Sequence, residues 1–568
     1  MAKPTTKAPP NAPPSPPWDS EVRLLAWLAT CVSVLSFLFY FQRGDVLLYG
    51  DAIAHMNIAR RVFDSKTPGL LQLGTVWLPL PHLLMIPFLI SHEMWQRGAG
   101  GSLPSLVAYV FGVVGMFRLV RGSLESSGKP DAAVRAAAWT AAVVYAANPN
   151  LIYMQTTAMG ESLYLAFFIW AVVYFGESQH EGGRALTKCG LCLAAACMTR
   201  YDGWFLAVAM AAVLAVLTFR AYRADGAAGK SAGIQRQPKA VLKFMLIAAA
   251  APTLWLAYNG IVYRNPLEFE NGPYSAKAIE RKTQTAGNPG HPGSGNLLVA
   301  GLYFVKSGEA SVAENPWLQR SWVVLALVAL VAVAGGVRSR RNETKNGSRG
   351  AWLVLLWLLV PLPFYALSVA YGGVPIFVPA WWPFSHYNVR YGLQLLPAFA
   401  AALAIFVYLA MRTDRLPRRL RMGAILGAFV CLIASYASIW RAGPVCLKEA
   451  QINMRGRNHL EAQLAGWLHK LPPDSTLLMY LGDHVGAVEQ AGIPLKQVIN
   501  EGNHRVWKQP VDPVGLWERA LANPAQYTDF VVAFEGDPVW QAVQQRHLPE
   551  LVEIHTTGQA RAIIYRSR

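Results

Sequence analysis

The chain has 568 residues, of which 53% are apolar and only 15% are charged, well under the roughly 25% charged residues of soluble domains. The apolar residues fall in runs of about 15–22, so an ordinary soluble globule is excluded, since it would need many helices with almost no polar face. The formal charge of +18 comes from 51 Lys+Arg against 33 Asp+Glu. These basic residues sit in short loops between apolar runs, and no aromatic-basic motif accompanies them, so they read as membrane-topology signals and not as a nucleic-acid surface.

Taken in chain order, residues 1–17 are rich in Pro, Lys and Thr and read as disorder. They lack the apolar core and small-residue cleavage site of a signal peptide, and the expected tail covers residues 1–22. Residues 24–41 form a first span, and residues 51–63 follow with Ile53, Met56, Ala59, Arg60 and Phe63 at spacings of three or four. That pattern is an amphipathic helix at the membrane interface. Asp51 stands at its start, where a carboxylate suits the helix dipole, as a cap or as a functional acid. His55 lies four residues on and faces the same side.

The apolar stretch 76–90 holds Pro79, Pro81, Pro87 and His82. It is short for a span, and each proline removes a backbone donor. Further apolar runs include 104–117, 244–262, 352–371 and 423–440. Five of the six cysteines lie in apolar runs. Cys189 and Cys192 form a CxxC without a His or a second CxxC, which reads as buried thiols.

Loop charge orients the chain. The tail and the segments 118–135, 184–188, 220–243, 338–349 and 412–421 are basic, which places them in the cytoplasm. The alternate segments 150–160, 199–203, 263–319 and 372–390 are poor in Lys and Arg for their length. This alternation leaves no room for 76–90 to cross once, so it lies along the outer interface or re-enters. About eleven spans result by the length rule. The transmembrane part covers residues 23–440, and residues 441–568 form a small α/β domain outside the membrane. Strands are expected there at 476–480, 530–534 and 562–565, and helices at 458–470 and 538–547.

Charges that survive in apolar surroundings are costly and default to function. Glu161 opens an apolar run and is the only acid between Asp131 and Glu177. Asp202 lies between two short runs, with Arg200 beside it as a candidate ion-pair partner. Arg390 precedes another run, and with Arg200 and Lys306 it forms a candidate phosphate-binding set, because a guanidinium fork donates two parallel hydrogen bonds. His55, His82, Asp202 and Tyr391 are further substrate or metal candidates, although no spacing demands a metal. All of these fall on the outer face.

Five segments together resemble the GT-C membrane glycosyltransferases, in particular the protein O-mannosyltransferase and aminoarabinose-transferase branch. They are GDAIAHMNIARR, LGTVWLPLPHLLMIPF, NPNLIYMQTTAMGESLY, MTRYDGW and NVRYGLQLLP, scattered over residues 24–399. The resemblance implies transfer of a sugar from a polyprenyl-phosphate donor to a protein, lipid or glycan acceptor, with inversion, at the outer face of the cell's inner (plasma) membrane. It implies Asp51 as the base or acceptor-orienting carboxylate, Glu161 as the second catalytic acid, and Arg390 and Arg200 at the donor phosphate. Some relatives use a divalent metal and others none. A single acid, Asp51, replaces the adjacent acid pair of the mannosyltransferases, and the HPPLG-like element survives only as LPLPHLL. A lipid or sugar transporter and a scaffold for the C-terminal domain are the alternatives.

Overall fold

The protein is described by a computed structural model over residues 19–125, 131–224, 237–283, 290–339, 352–482, 484–503 and 514–568. Most of the tail expected over 1–22, and much of the basic loops expected at 220–243 and 338–349, lie outside these residues.

Helix α1 (Ser20–Gln42) starts where the Asp19 carboxylate accepts a hydrogen bond from the Val22 amide. Its Trp27 and Leu35 are 72% and 67% exposed, an apolar surface suited to lipid. Three short helices follow: α2 (Gly50–Arg61), α3 (Leu80–Leu89) and α4 (His92–Gln96). Then come α5 (Ala99–Leu124), α6 (Ala132–Ala146), α7 (Pro149–Met154), α8 (Glu161–Glu181), α9 (Gly183–Cys197), α10 (Asp202–Ala224) and α11 (Pro238–Val262). Helices α12 (Glu268–Asn271), α13 (Ala276–Thr283) and α14 (Leu297–Val312) precede α15 (Pro316–Ser339). A 3₁₀ segment Trp352–Leu359 leads into α16 (Pro361–Tyr371), and a second, Val389–Leu395, leads into α17 (Leu396–Arg412). The last two long helices are α18 (Arg418–Ala442) and α19 (Val445–Leu468).

Among the described residues, eight helical stretches are long and apolar enough to cross a membrane. That is fewer than the roughly eleven expected by the length rule; the helices α6, α8 and α9 pack between them. Helices α5, α6, α8 and α17 form the centre of the bundle. Small residues let them approach: a Cβ at Gly112 would meet the Tyr145 hydroxyl at 2.6 Å.

Ion pairs gather the ends of the bundle. Arg121 meets Asp19, Arg135 meets Glu21, and Arg412 meets Asp131. The start of α1, the end of α5, the start of α6 and the end of α17 therefore share one end, as loop charge required. The stretch 76–90 stays at the opposite end. With ten residues, α3 spans only about 15 Å. The Leu80 amide bonds the Met198 carbonyl after α9, and the Tyr201 hydroxyl bonds the Val76 carbonyl. At its other end, Arg60 of α2 donates to the Leu89 and Ile90 carbonyls, satisfying acceptors that a helix C-terminus leaves open.

The segment 263–319, read from sequence as a plain loop, contains α14. Its Ala300, Tyr303 and Phe304 are buried against α16 and Val389–Leu395.

After Gly443 and Pro444 the chain turns into α19 and then a five-stranded sheet of order β2-β1-β3-β5-β4. The strands are β1 (Leu477–Met479), β2 (Val498–Ile499), β3 (Phe530–Phe534), β4 (Glu550–Ile554) and β5 (Ala562–Arg566). β1 pairs in parallel with β2 and β3, whereas β5 is antiparallel to β3 and β4. The sheet docks on the first loop: Asn57 of α2 donates to Glu489, and the Lys496 amide donates to Asp64.

Candidate active site

Three acids singled out in the sequence begin helices: Asp51 lies in the first turn of α2, Glu161 opens α8 and Asp202 opens α10. Each therefore sits at a positive helix end. Asp51 does not cap its helix, because the N-cap is Tyr49 and makes no side-chain cap bond. Its carboxylate instead meets Nη2 of Arg390 at 2.6 Å.

Arg390 links the elements. It is buried on Val389–Leu395, just after Asn388, whose φ of 55° is left-handed. Its Nε donates to Glu161 at 3.2 Å, its Nη1 to Glu449, and its backbone amide also to Glu449 at 3.2 Å. Arg200, between α9 and α10, donates to the same Glu161 oxygen at 3.0 Å, to Asp202 and to the Tyr365 hydroxyl at 3.0 Å. Tyr365 in turn donates to Asp202 at 3.0 Å. The Tyr391 ring lies 4.8 Å from the Arg200 guanidinium carbon and 5.1 Å from that of Arg390, a cation–π contact with both.

The acids differ in access. The Asp51 side chain is 41% exposed, whereas those of Glu161 and Asp202 are 1% and 2% exposed. All three line a cavity of about 720 Å³, with Arg200, Arg390 and Tyr391. Of these three, Asp51 is the acid that reaches into it, while Glu161 is wedged between two guanidiniums; Glu270 and Glu280 line the cavity as well.

His55 also lines the cavity, with its ring beside Trp77. Its Nδ1 lies 2.7 Å from Nε2 of the buried His82, so one ring donates and the other accepts. Burial pushes His55 down to about 4 and His82 well below the usual range. Both are uncharged at neutral pH.

The structure thus brings together Asp51, His55, His82, Glu161, Arg200, Asp202, Arg390 and Tyr391. Lys306 does not join them: it pairs with Glu309 at 2.8 Å and Gln319 at 2.6 Å and is absent from the cavity lining. Sequence reasoning missed Glu449, which comes from α19 and is fully buried. It also missed Tyr365, Tyr49, whose ring packs 5.1 Å from the Arg390 guanidinium carbon, and His291 on the cavity wall. Glu449 lies among polar neighbours, so rarity did not mark it. The one signal was its place near the start of the helix that follows Gly443 and Pro444 at the end of a span.

The residues do not fit a resident metal. Among the described residues, no group of three or more His, Cys, Asp or Glu is placed to hold one. His55 and His82 spend their facing nitrogens on each other, and Glu161, Asp202 and Glu449 are tied to arginines. The six cysteines are free thiols, Cys189 and Cys192 included.

No protein-family model matches the chain, and no curated protein sequence matches it. Solved structures do. ArnT from Cupriavidus metallidurans bound to undecaprenyl phosphate superposes with a TM-score of 0.54 at 13% identity, covering 96% of this chain and 98% of that one. The apo state of the same protein gives 0.53 at 14% identity, with the same coverage. The oligosaccharyltransferase of Archaeoglobus fulgidus in complex with Zn and sulfate aligns at a TM-score of 0.44 and 12% identity, over 94% of this chain and 72% of that one. From end to end, then, this helical membrane chain with its small C-terminal sheet has the GT-C fold of the membrane glycosyltransferases.

Proposed function

We propose that the protein transfers a sugar from a polyprenyl-phosphate donor to an acceptor hydroxyl or amine at the extracytoplasmic face of the cell's inner membrane. The observation that carries this reading is the placement of Asp51. It is a cavity-facing carboxylate held against a buried guanidinium, in a chain that folds like a protein solved with undecaprenyl phosphate bound.

The acceptor must lose a proton as it attacks the anomeric carbon. Among the carboxylates gathered around Arg390, Asp51 is the accessible one for that step, as general base or as the group that orients the nucleophile. The bond to the donor phosphate oxygen breaks on the opposite side, which inverts the anomeric centre. A phosphate leaving group needs charge stabilisation more than protonation, and Arg390 supplies it from a site shielded from water. Arg200 and Glu161 hold Arg390 and the Tyr391 ring in place. No step is assigned to a metal, since the donor set does not fit one.

In the test, Asp51→Asn is expected to lower transfer at least about 100-fold, the usual scale for losing a general base, while the protein still binds donor. Membranes would be assayed with radiolabelled polyprenyl-phosphate sugar. Full activity in that variant would remove Asp51 from the mechanism. Mass spectrometry of glycoconjugates from a deletion strain would identify the sugar and acceptor.

A further inference from the structure

We propose that the Asp51–Arg390 ion pair is an exchangeable latch: the donor's phosphate takes Asp51's place on Arg390 and so releases the carboxylate into the cavity. This rests on the polyprenyl-phosphate reading above and concerns the order in which that site is filled.

Three carboxylates surround the Arg390 guanidinium, one on each nitrogen: Glu161 on Nε, Glu449 on Nη1 and Asp51 on Nη2. Two of these contacts are sealed. The Glu161 and Glu449 side chains are 1% and 0% exposed, and Glu449 also takes the Arg390 amide. The Asp51 side chain, at 41% exposed, faces the cavity. Arg200 also lines the cavity but has no exposed partner to exchange, because Glu161, Asp202 and Tyr365 are all buried. An anion entering the cavity therefore gains Arg390 by replacing Asp51.

The exchange changes no covalent bond. A phosphate oxygen accepts from Nη2 in place of a carboxylate oxygen, and a guanidinium suits either partner. Removing one buried acid would leave the arginine uncompensated, whereas exchanging one anion for another does not. Before the donor arrives, the carboxylate meant for the acceptor's proton is engaged with Arg390. Afterwards it is free beside the anomeric carbon. Donor binding thereby arms the base.

The experiment is calorimetric titration of a sugar-free polyprenyl monophosphate, and separately of inorganic phosphate, into the full-length protein in detergent. Asp51→Asn keeps the shape and removes the competing charge, so it is expected to bind phosphate about tenfold tighter, equivalent to about 1.4 kcal/mol. In an Arg390→Lys background, which keeps a charge for Glu161 and Glu449 but loses the fork, the gain is expected to shrink below about twofold, as a double-mutant cycle requires of a shared partner. Unchanged or weaker binding in Asp51→Asn would overturn the latch. A full gain that persists in the Arg390→Lys background would overturn it too, since that would be general charge repulsion. Size-exclusion profiles check that each variant is folded. If the wild type binds inorganic phosphate with the expected Asp51→Asn gain but ignores the polyprenyl form, the latch stands and the donor assignment fails. If it binds neither, both fall.

Discussion

A guanidinium taken out of water keeps its charge only where carboxylates compensate it. Arg390 meets that condition with acids from α2, α8 and α19. Removing the most buried of them leaves a charge stranded, so Glu449→Ala is expected to cost roughly 3–5 kcal/mol of stability. A thermal melt in detergent reads this, and Glu449→Gln, which still accepts hydrogen bonds, is expected to lose less. The scarcity of charge in apolar surroundings made Asp51, Glu161, Arg200, Asp202 and Arg390 legible in the sequence. The same rule also marked Lys306, which pairs with Glu309 one helical turn on and stays outside the cluster. It also passed over Glu449, which sits next to Lys448 and close to Gln451 and Asn453 and looks like any solvated helix position. Its partner is 59 residues away in sequence, and no local pattern encodes such a pairing.

At the scale of elements, α2 and α3 act as a unit joined by the His55–His82 bond. Among the charges around His55, Asp51 and Glu161 favour its protonation, Arg390 and Arg200 oppose it, and burial outweighs them all. The folded pKa of about 4 lies below the unfolded value of 6.5. The unfolded chain therefore binds more protons between these values, and stability rises with pH through that window. Stability is expected to be full above pH 6.5 and to fall as the pH drops towards 4, with His55→Gln flattening the slope. Melting temperatures across that range check it. The non-spanning character of 76–90 was legible from charge parity and its prolines. Helix α14 was not, because Lys306, Ser307, Glu309 and Ser311 interrupt its apolar run. The edge strand β4 was also hidden, since Glu550 and Glu553 break its apolar pattern.

For the whole molecule, the grouping of basic loop residues at one end and the acids at the other is a statement about orientation. In a background without native cysteines, Leu70→Cys and Ser91→Cys are expected to react with an impermeant thiol reagent on intact cells. Arg415→Cys is expected to react only after the membrane is opened. Labelling of Leu70→Cys and Ser91→Cys from opposite sides would break the shared face of Asp51 and Glu161.

The start of α19 places one further condition on the molecule. Glu449 is synthesised after every bundle helix, yet it closes the cluster begun by Asp51. During biogenesis the arginine is inserted before its last counter-charge exists, so the site matures only when the chain beyond the bundle has emerged and folded back. The same geometry limits engineering by domain exchange. A replacement C-terminal module joined at residue 441 would have to bring an acid at the position of Glu449, or the chimera would inherit the bundle without a finished site.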